Sequence, residues 1–220
     1  MSHESPMQQR LRITFGKAGP LKYTSSLDVA KIWERVLRRA DIPILYTQGF
    51  NTRPRLQLAM PMPLGITSEC EILDVAMREA ISLDEASLIE TLLRVSPSGL
   101  SIHAIESVDT RAPAMQSLVE SAEYRIRFED TYPRDLLQAK VDAILNADTI
   151  VIEKIRKRKR SVMDIRPLII SLAIDDNADL IAHLSVGERG NLRPDQLLEK
   201  MELGQEYVTI HRYKLHVLDE

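Results

Sequence analysis

Residues 154 to 160 read Lys-Ile-Arg-Lys-Arg-Lys-Arg, six cations in seven positions of a chain whose formal net charge is -3. Positive charge concentrated at one place in a mildly acidic protein draws a polyanion to that place rather than to the surface at large. If a strand continues outward through the run, Arg156, Arg158 and Arg160 project from one side and Lys157 and Lys159 from the other. A ribbon charged on both sides suits insertion between phosphate backbones, where each guanidinium binds phosphate oxygens as a fork. Lys154 opens the run. Arg53, Arg55 and Arg166, in the stretches Arg53-Pro54-Arg55 and Arg166-Pro167, extend the same basic surface. The competing reading is a solvated hairpin tip whose cations block edge-to-edge strand pairing.

No other set of residues has the spacing of a catalytic or metal site. His3, His103, His183, His211 and His216 show no metal-ligand spacing, and His211 and His216, five apart, face opposite ways on a strand. Cys70 is the single cysteine, so an internal disulfide and any Cys-rich zinc or iron–sulfur site are excluded. It has no cationic neighbour in the sequence to lower its pKa, which makes it structural rather than nucleophilic. Gly16-x-x-Gly19 lacks the Lys-Ser/Thr that completes a phosphate loop. Asp164 and Arg166 have the types for a structural ion pair. No cofactor is expected.

Hydrophobic content of 44% and charged content of 28% suit a folded globular protein, either one large domain or two of about 110 residues. Aromatic content of 5% does not advertise a base-stacking platform. No apolar run approaches the roughly 20 residues that span a bilayer, so a membrane is not an expected partner. The first nine residues are polar, lack the apolar stretch of a secretory signal, and read as a loose leader. The chain is expected in the cytoplasm.

The elements that would carry these residues follow from periodicity. Leu11, Ile13 and Phe15 alternate as a strand. Ser25-Ser26-Leu27-Asp28 has the spacing of a capping box, and Val29, Trp33, Val36 and Leu37 then recur at helical spacing. Ile44–Tyr46, Leu56–Met60 and Cys70–Met77 read as strands around the loop Gly49-Phe50-Asn51. Ser82 to Glu85 offers a second capping box, before a helix bearing Leu88, Ile89, Leu92 and Leu93. Leu100–Val108 is the next strand. Further on, Tyr124, Ile126 and Phe128 alternate, and Pro133 opens a helix. Thr149–Ile155, Leu168–Ile174 and Leu180–Val186 are strands, Pro194–Leu203 is a helix closed by Gly204, and Tyr207 begins the last strand.

Both halves therefore spell strand, helix, strand, strand, helix, strand. The expected class is α+β: two consecutive ferredoxin-like (split βαβ) units, residues 10–110 and 114–216, each an antiparallel sheet with its helices on one face.

The stretches Ser25-Ser26-Leu27-Asp28, Arg38-Arg39-Ala40, Gly49-Phe50-Asn51 and Pro63-Leu64-Gly65 resemble motifs of the radical-SAM-linked protein family. Asp164-Ile165-Arg166-Pro167 and Gly190-x-Leu192-Arg193-Pro194 resemble its second-half motifs, so that the likeness runs from about Arg10 to Tyr213. The chain departs from the pattern at Ser26, where the resemblance implies histidine, and at Thr52-Arg53, where it implies Pro-His. It implies a radical SAM protein supplied in trans as partner. It also singles out Asp28, Arg38, Arg39, Gly49, Phe50 and Asn51 as a loop and partner-binding set.

Together the basic run and the resemblance favour a non-catalytic adaptor that binds RNA, such as tRNA or rRNA, and presents it to that enzyme. Two alternatives stand beside it. One is a stand-alone RNA-modifying or RNA-cleaving enzyme, although the Gly-Arg-x-Asp signature of pseudouridine synthases is absent. The other is a protein-docking module using the Pro61–Gly65 loop or the Arg38-Arg39 face.

Overall fold

A computed structural model describes residues 7–60, 62–82, 84–156, 159–187 and 190–218; for 154–156 and 159–161 it describes the backbone alone. The polar leader read at residues 1–9 lies outside the described residues up to position 6. The chain is a mixed α+β structure built on mostly antiparallel sheet, with five α-helices among the described residues. It divides into two compact units, one ending at Val119 and one starting at Glu120.

The first unit contains β1 (Gln9–Lys17), α1 (Ser26–Arg39), β2 (Leu56–Leu58), β3 (Thr67–Met77), α2 (Glu85–Leu93), β4 (Leu100–Val108) and the single turn α3 (Met115–Leu118). Its strands lie in the order β4-β1-β3, with the short β2 pairing β3 over Leu73–Val75, and β1 runs antiparallel to both neighbours. Register decides the two faces. Leu11 sits opposite Val75 and Ile13 opposite Leu73, on the side where α1 and α2 place Val29, Trp33, Val36, Leu37, Leu88 and Leu92 in one cluster. Both helices thus cover one face. Trp33 is fully buried and meets Phe15 edge-on, with ring centroids 5.0 Å apart.

The intervening residues put charge on the other face. Arg12 sits opposite Asp74 in the register and donates from Nε to Asp74 Oδ1 at 2.9 Å. Arg10 also pairs with Asp74 and reaches the carbonyls of Ala112 at 2.6 Å and Pro113 at 3.0 Å. That buried carboxylate with two guanidinium partners ties the connection after β4 back to the sheet. Such a group is tolerable only because its oxygens are satisfied.

α1 starts as its capping box predicts: Ser25 Oγ accepts from the Asp28 amide at 3.2 Å, and the Asp28 carboxylate accepts in return from the Ser25 amide at 3.4 Å. α2 starts differently. Asp84, not Ser82, is its N-cap, accepting from the Ser87 amide at 3.0 Å. Ile44–Tyr46 is not a strand: only isolated bridges, Ile44 to Met77 and Tyr46 to Pro54, tie it down. Pro43 has no amide to donate and interrupts the ladder. Gly99 holds φ at +89°, and a Cβ there would strike the Ala18 carbonyl, whose own amide donates to Gly99 O at 2.8 Å.

The second unit contains β5 (Val119–Phe128), α4 (Arg134–Asn146), β6 (Val151–Arg156), β7 (Lys159–Asp164), β8 (Ile169–Ile174), β9 (Leu180–Ser185), α5 (Pro194–Lys200) and β10 (Val208–Val217). The main strands lie in the order β10-β5-β9-β8, while β6 and β7 form a separate two-stranded sheet. The two halves therefore do not share one element count: the second carries an additional hairpin. α5 is shorter than the helix expected to Leu203. Its exit uses Glu202, at φ +58°, rather than Gly204. No helix among the described residues is long and apolar enough to cross a membrane.

Candidate functional site

The basic run does not continue a strand outward; it folds back on itself. Ile155 pairs with Arg160 and Arg156 with Lys159 across the antiparallel β6–β7 ladder. Lys154, Arg156, Lys159 and Arg160 therefore occupy ladder positions, and Lys157 and Arg158 lie outside the described residues. Interleaved Arg and Lys satisfy the strand period in either arrangement, and of the two readings of the run, the outward strand and the hairpin, the backbone takes the hairpin.

The base of this ribbon is clamped. Asp164 Oδ1 accepts from the amides of Ile150 at 2.8 Å and Arg166 at 3.0 Å. These two N–H groups, Ile150 first, hold the Asp164 carboxyl below the ordinary aspartate range. The Ile165 amide donates to Ile150 O at 2.8 Å, and the Ile165 side chain is fully buried. Arg166 aims inward, donating to Leu145 O at 2.9 Å and to Ile169 O at 3.2 Å. Asp164 and Arg166, expected as an ion pair, each hold backbone instead, and they join α4, the ribbon and β8.

In the first unit, the loop between Thr47 and Arg53 is closed by its own backbone. The Thr47 amide donates to Arg53 O at 2.8 Å, and the Arg53 amide donates to Thr47 Oγ1 at 2.9 Å. Gly49 takes φ +119°, and Phe50 stands wholly exposed beside exposed Asn51, Arg53 and Arg55. Asp28 has its carboxylate engaged at the helix cap, with Ser25 Oγ at 2.6 Å. Arg38 and Arg39 are exposed in the last turn of α1, where Arg38 lines an open depression of about 470 Å³ with Asp41, Tyr46 and Arg78.

The second unit also gathers residues that sequence spacing does not associate. Glu123 on β5 is directly opposite His183 on β9, and β10, on the other side of β5, carries His216. His216 Nε2 lies 2.6 Å from Glu123 Oε1, and Tyr213 donates its hydroxyl to Glu123 Oε2 at 2.6 Å. Lys214 Nζ is 3.7 Å from Oε1. His183 Nε2 lies 2.7 Å from Ser121 Oγ, and its ring stacks on that of His216 at 4.6 Å. The Tyr213 hydroxyl, then His216, hold Glu123 below the usual glutamate range. Burial, then His216, hold His183 below the usual imidazole value, while burial and the Glu123 contact push Tyr213 up to about 12. A neutral imidazole and an ionised carboxylate side by side are the forms that ligate metal. Parity places Glu123 with Ser121 and Arg125 on one side of β5, with Tyr124 and Ile126 on the buried other, and carries no signal for His183 or His216.

Residues 10–194 match a family described as uncharacterized proteins conserved in bacteria (DUF2344). The chain belongs to that family. The DUF2344 match opens at the second residue of β1 and ends at the first of α5. It takes in the loop, the ribbon, Glu123 and His183, and leaves His216 beyond it. No curated protein matches this DUF2344 chain in sequence. Among solved structures it is similar to a chain of a crystal structure of a Cbf5-Nop10-Gar1 complex, at 10% identity and a TM-score of 0.44. The alignment covers 93% of this chain and 48% of that one, so this chain spans about half its length.

Proposed function

We propose that this protein is a cytoplasmic, non-catalytic RNA-binding adaptor, made of two ferredoxin-like units, that presents tRNA or rRNA to a radical SAM enzyme supplied in trans. One observation carries the reading: among the described residues, Lys154, Arg156, Lys159 and Arg160 of the six-cation run occupy a two-stranded ribbon that forms its own sheet and is clamped at its base by Asp164, Ile165 and Arg166. A ribbon outside the main sheet suits a polyanion, whose phosphates Lys and Arg meet without reading sequence. Within this reading Arg166 positions the ribbon, and Lys154 and Arg156 to Arg160 contact phosphate.

Support for the adaptor role comes also from the first unit, where Phe50, at the exposed tip of the 47–53 loop, has Arg53 and Arg55 close by in the chain. The strand order β4-β1-β3-β2 of that unit, and β10-β5-β9-β8 of the other, support the ferredoxin-like assignment. A fluorescence titration against tRNA over a salt series tests the proposal. About five neutralised phosphates give a log–log slope of roughly -3.5 to -4.5, which shrinks toward zero when the six cations become Gln. Binding unchanged by that replacement ends the proposal.

A further inference from the structure

His183 and His216 sit on strands that flank β5 from opposite sides. Neighbouring strands lie about 4.8 Å apart, which separates their backbones by roughly 10 Å. Their rings nevertheless stack at 4.6 Å with an interplanar angle of 27°. Both side chains therefore lean inward over Glu123, and one donor atom from each of the three residues lies within 4.8 Å of the others. A hydrogen-bonded pair needs only His216 and Glu123. His183 has its own partner in Ser121 Oγ at 2.7 Å, yet its ring is turned to stack on that of His216 beside the same carboxylate. A shared divalent cation accounts for all three.

We propose that Glu123, His183 and His216 form a binding site for one divalent transition-metal ion of the zinc class. Two imidazoles and one carboxylate are borderline donors that select zinc and its first-row neighbours over magnesium or calcium, which take oxygen ligands. Three protein ligands leave a coordination position for water or a substrate oxygen, the arrangement of Lewis-acid zinc centres. An outer shell is in place: Tyr213 holds Glu123 Oε2 and Ser121 holds His183 Nε2, contacts of the kind that orient ligands and sharpen affinity. Tyr213 is in turn covered by the Arg125 guanidinium, 5.5 Å from its ring. Lys214 is the opposing charge, and the ion displaces its 3.7 Å contact with Glu123. The site is independent of the RNA reading, since it involves no residue of the basic run.

The test uses the full-length, tag-free protein, stripped with a chelator and titrated with Zn²⁺ by calorimetry. The expected result is one equivalent bound and not displaced by excess Mg²⁺. Glu123→Gln and His183→Ala should each weaken binding by more than about 100-fold, and Tyr213→Phe by about 10-fold. His103→Ala, on β4 of the first unit, should leave it unchanged. Because a variant can misfold, NMR of the histidine rings in the unaltered protein gives a second readout. Zn²⁺ should shift His183 and His216 and leave His103 in place. Absence of stoichiometric binding, ring signals of His183 and His216 unmoved at saturation, or a folded His183→Ala protein that binds as tightly, each overturns the proposal.

Discussion

Replacing Arg166 by Lys separates anchoring from phosphate contact at the root of the ribbon. The guanidinium spans two carbonyls, Leu145 O at 2.9 Å and Ile169 O at 3.2 Å, and a single ammonium lacks the fork to hold both. A carbonyl left without its donor costs about 1–3 kcal/mol when buried. Arg166 is half-buried, so water recovers part of that loss and the lower end, about 1–1.5 kcal/mol, applies. In a unit of about 100 residues each kcal/mol lowers Tm by roughly 4–8 °C. Arg166→Lys should therefore unfold about 4–12 °C earlier than the parent by thermal circular dichroism, and Arg166→Ala earlier still. The same variants in the tRNA salt series should keep the parent log–log slope, because an inward guanidinium neutralises no phosphate. An unshifted Tm, together with an Arg166→Ala slope smaller by about 0.7–0.9, would refute the anchoring argument and return Arg166 to the contact surface.

Three further outcomes follow from the first unit. Trp33→Ala empties the centre of the α1–sheet packing and should destabilise by about 3–5 kcal/mol in urea unfolding; a loss under about 1 kcal/mol would mean the cluster is not a cooperative core. Asp28 is held below its ordinary value of 3.8 chiefly by the Ser25 hydroxyl. Its contribution is thus complete above that value and lost as pH falls through the lower folded-state value, so Asp28→Asn should flatten the acid limb of the stability profile, measured between neutral pH and pH 2. Phe50→Ala should leave unfolding within about 0.5 kcal/mol of the parent, as for other exposed positions, while weakening tRNA or partner binding; a clear loss of stability would show that Phe50 is packed.

Much of the architecture was legible because it depends on local periodicity. Leu11, Ile13 and Phe15, and Val29, Trp33, Val36 and Leu37, each declare a face that must be covered, and both are buried together. Leu100–Val108 is a strand to the residue. Where two signals competed, the nearer contact won. Asp84 displaced Ser82 as the cap of α2 because a carboxylate one residue before the helix reaches the Ser87 amide directly. The short helix Met115–Leu118 had no signal: four residues cannot display a helical period.

By itself the amino-acid sequence determined where charge is concentrated, which residues face a core, how α1 is capped and that its one cysteine makes no internal disulfide. Each of these is a property of one segment and its immediate neighbours. Tertiary structure decided between the two readings of the basic run in favour of the hairpin, and decided that Arg166 faces inward and that Glu123, His183 and His216 meet. Those outcomes depend on strand order, because residues sixty positions apart become neighbours only when β9 and β10 settle on either side of β5, and no spacing along the chain encodes which strand lies beside which.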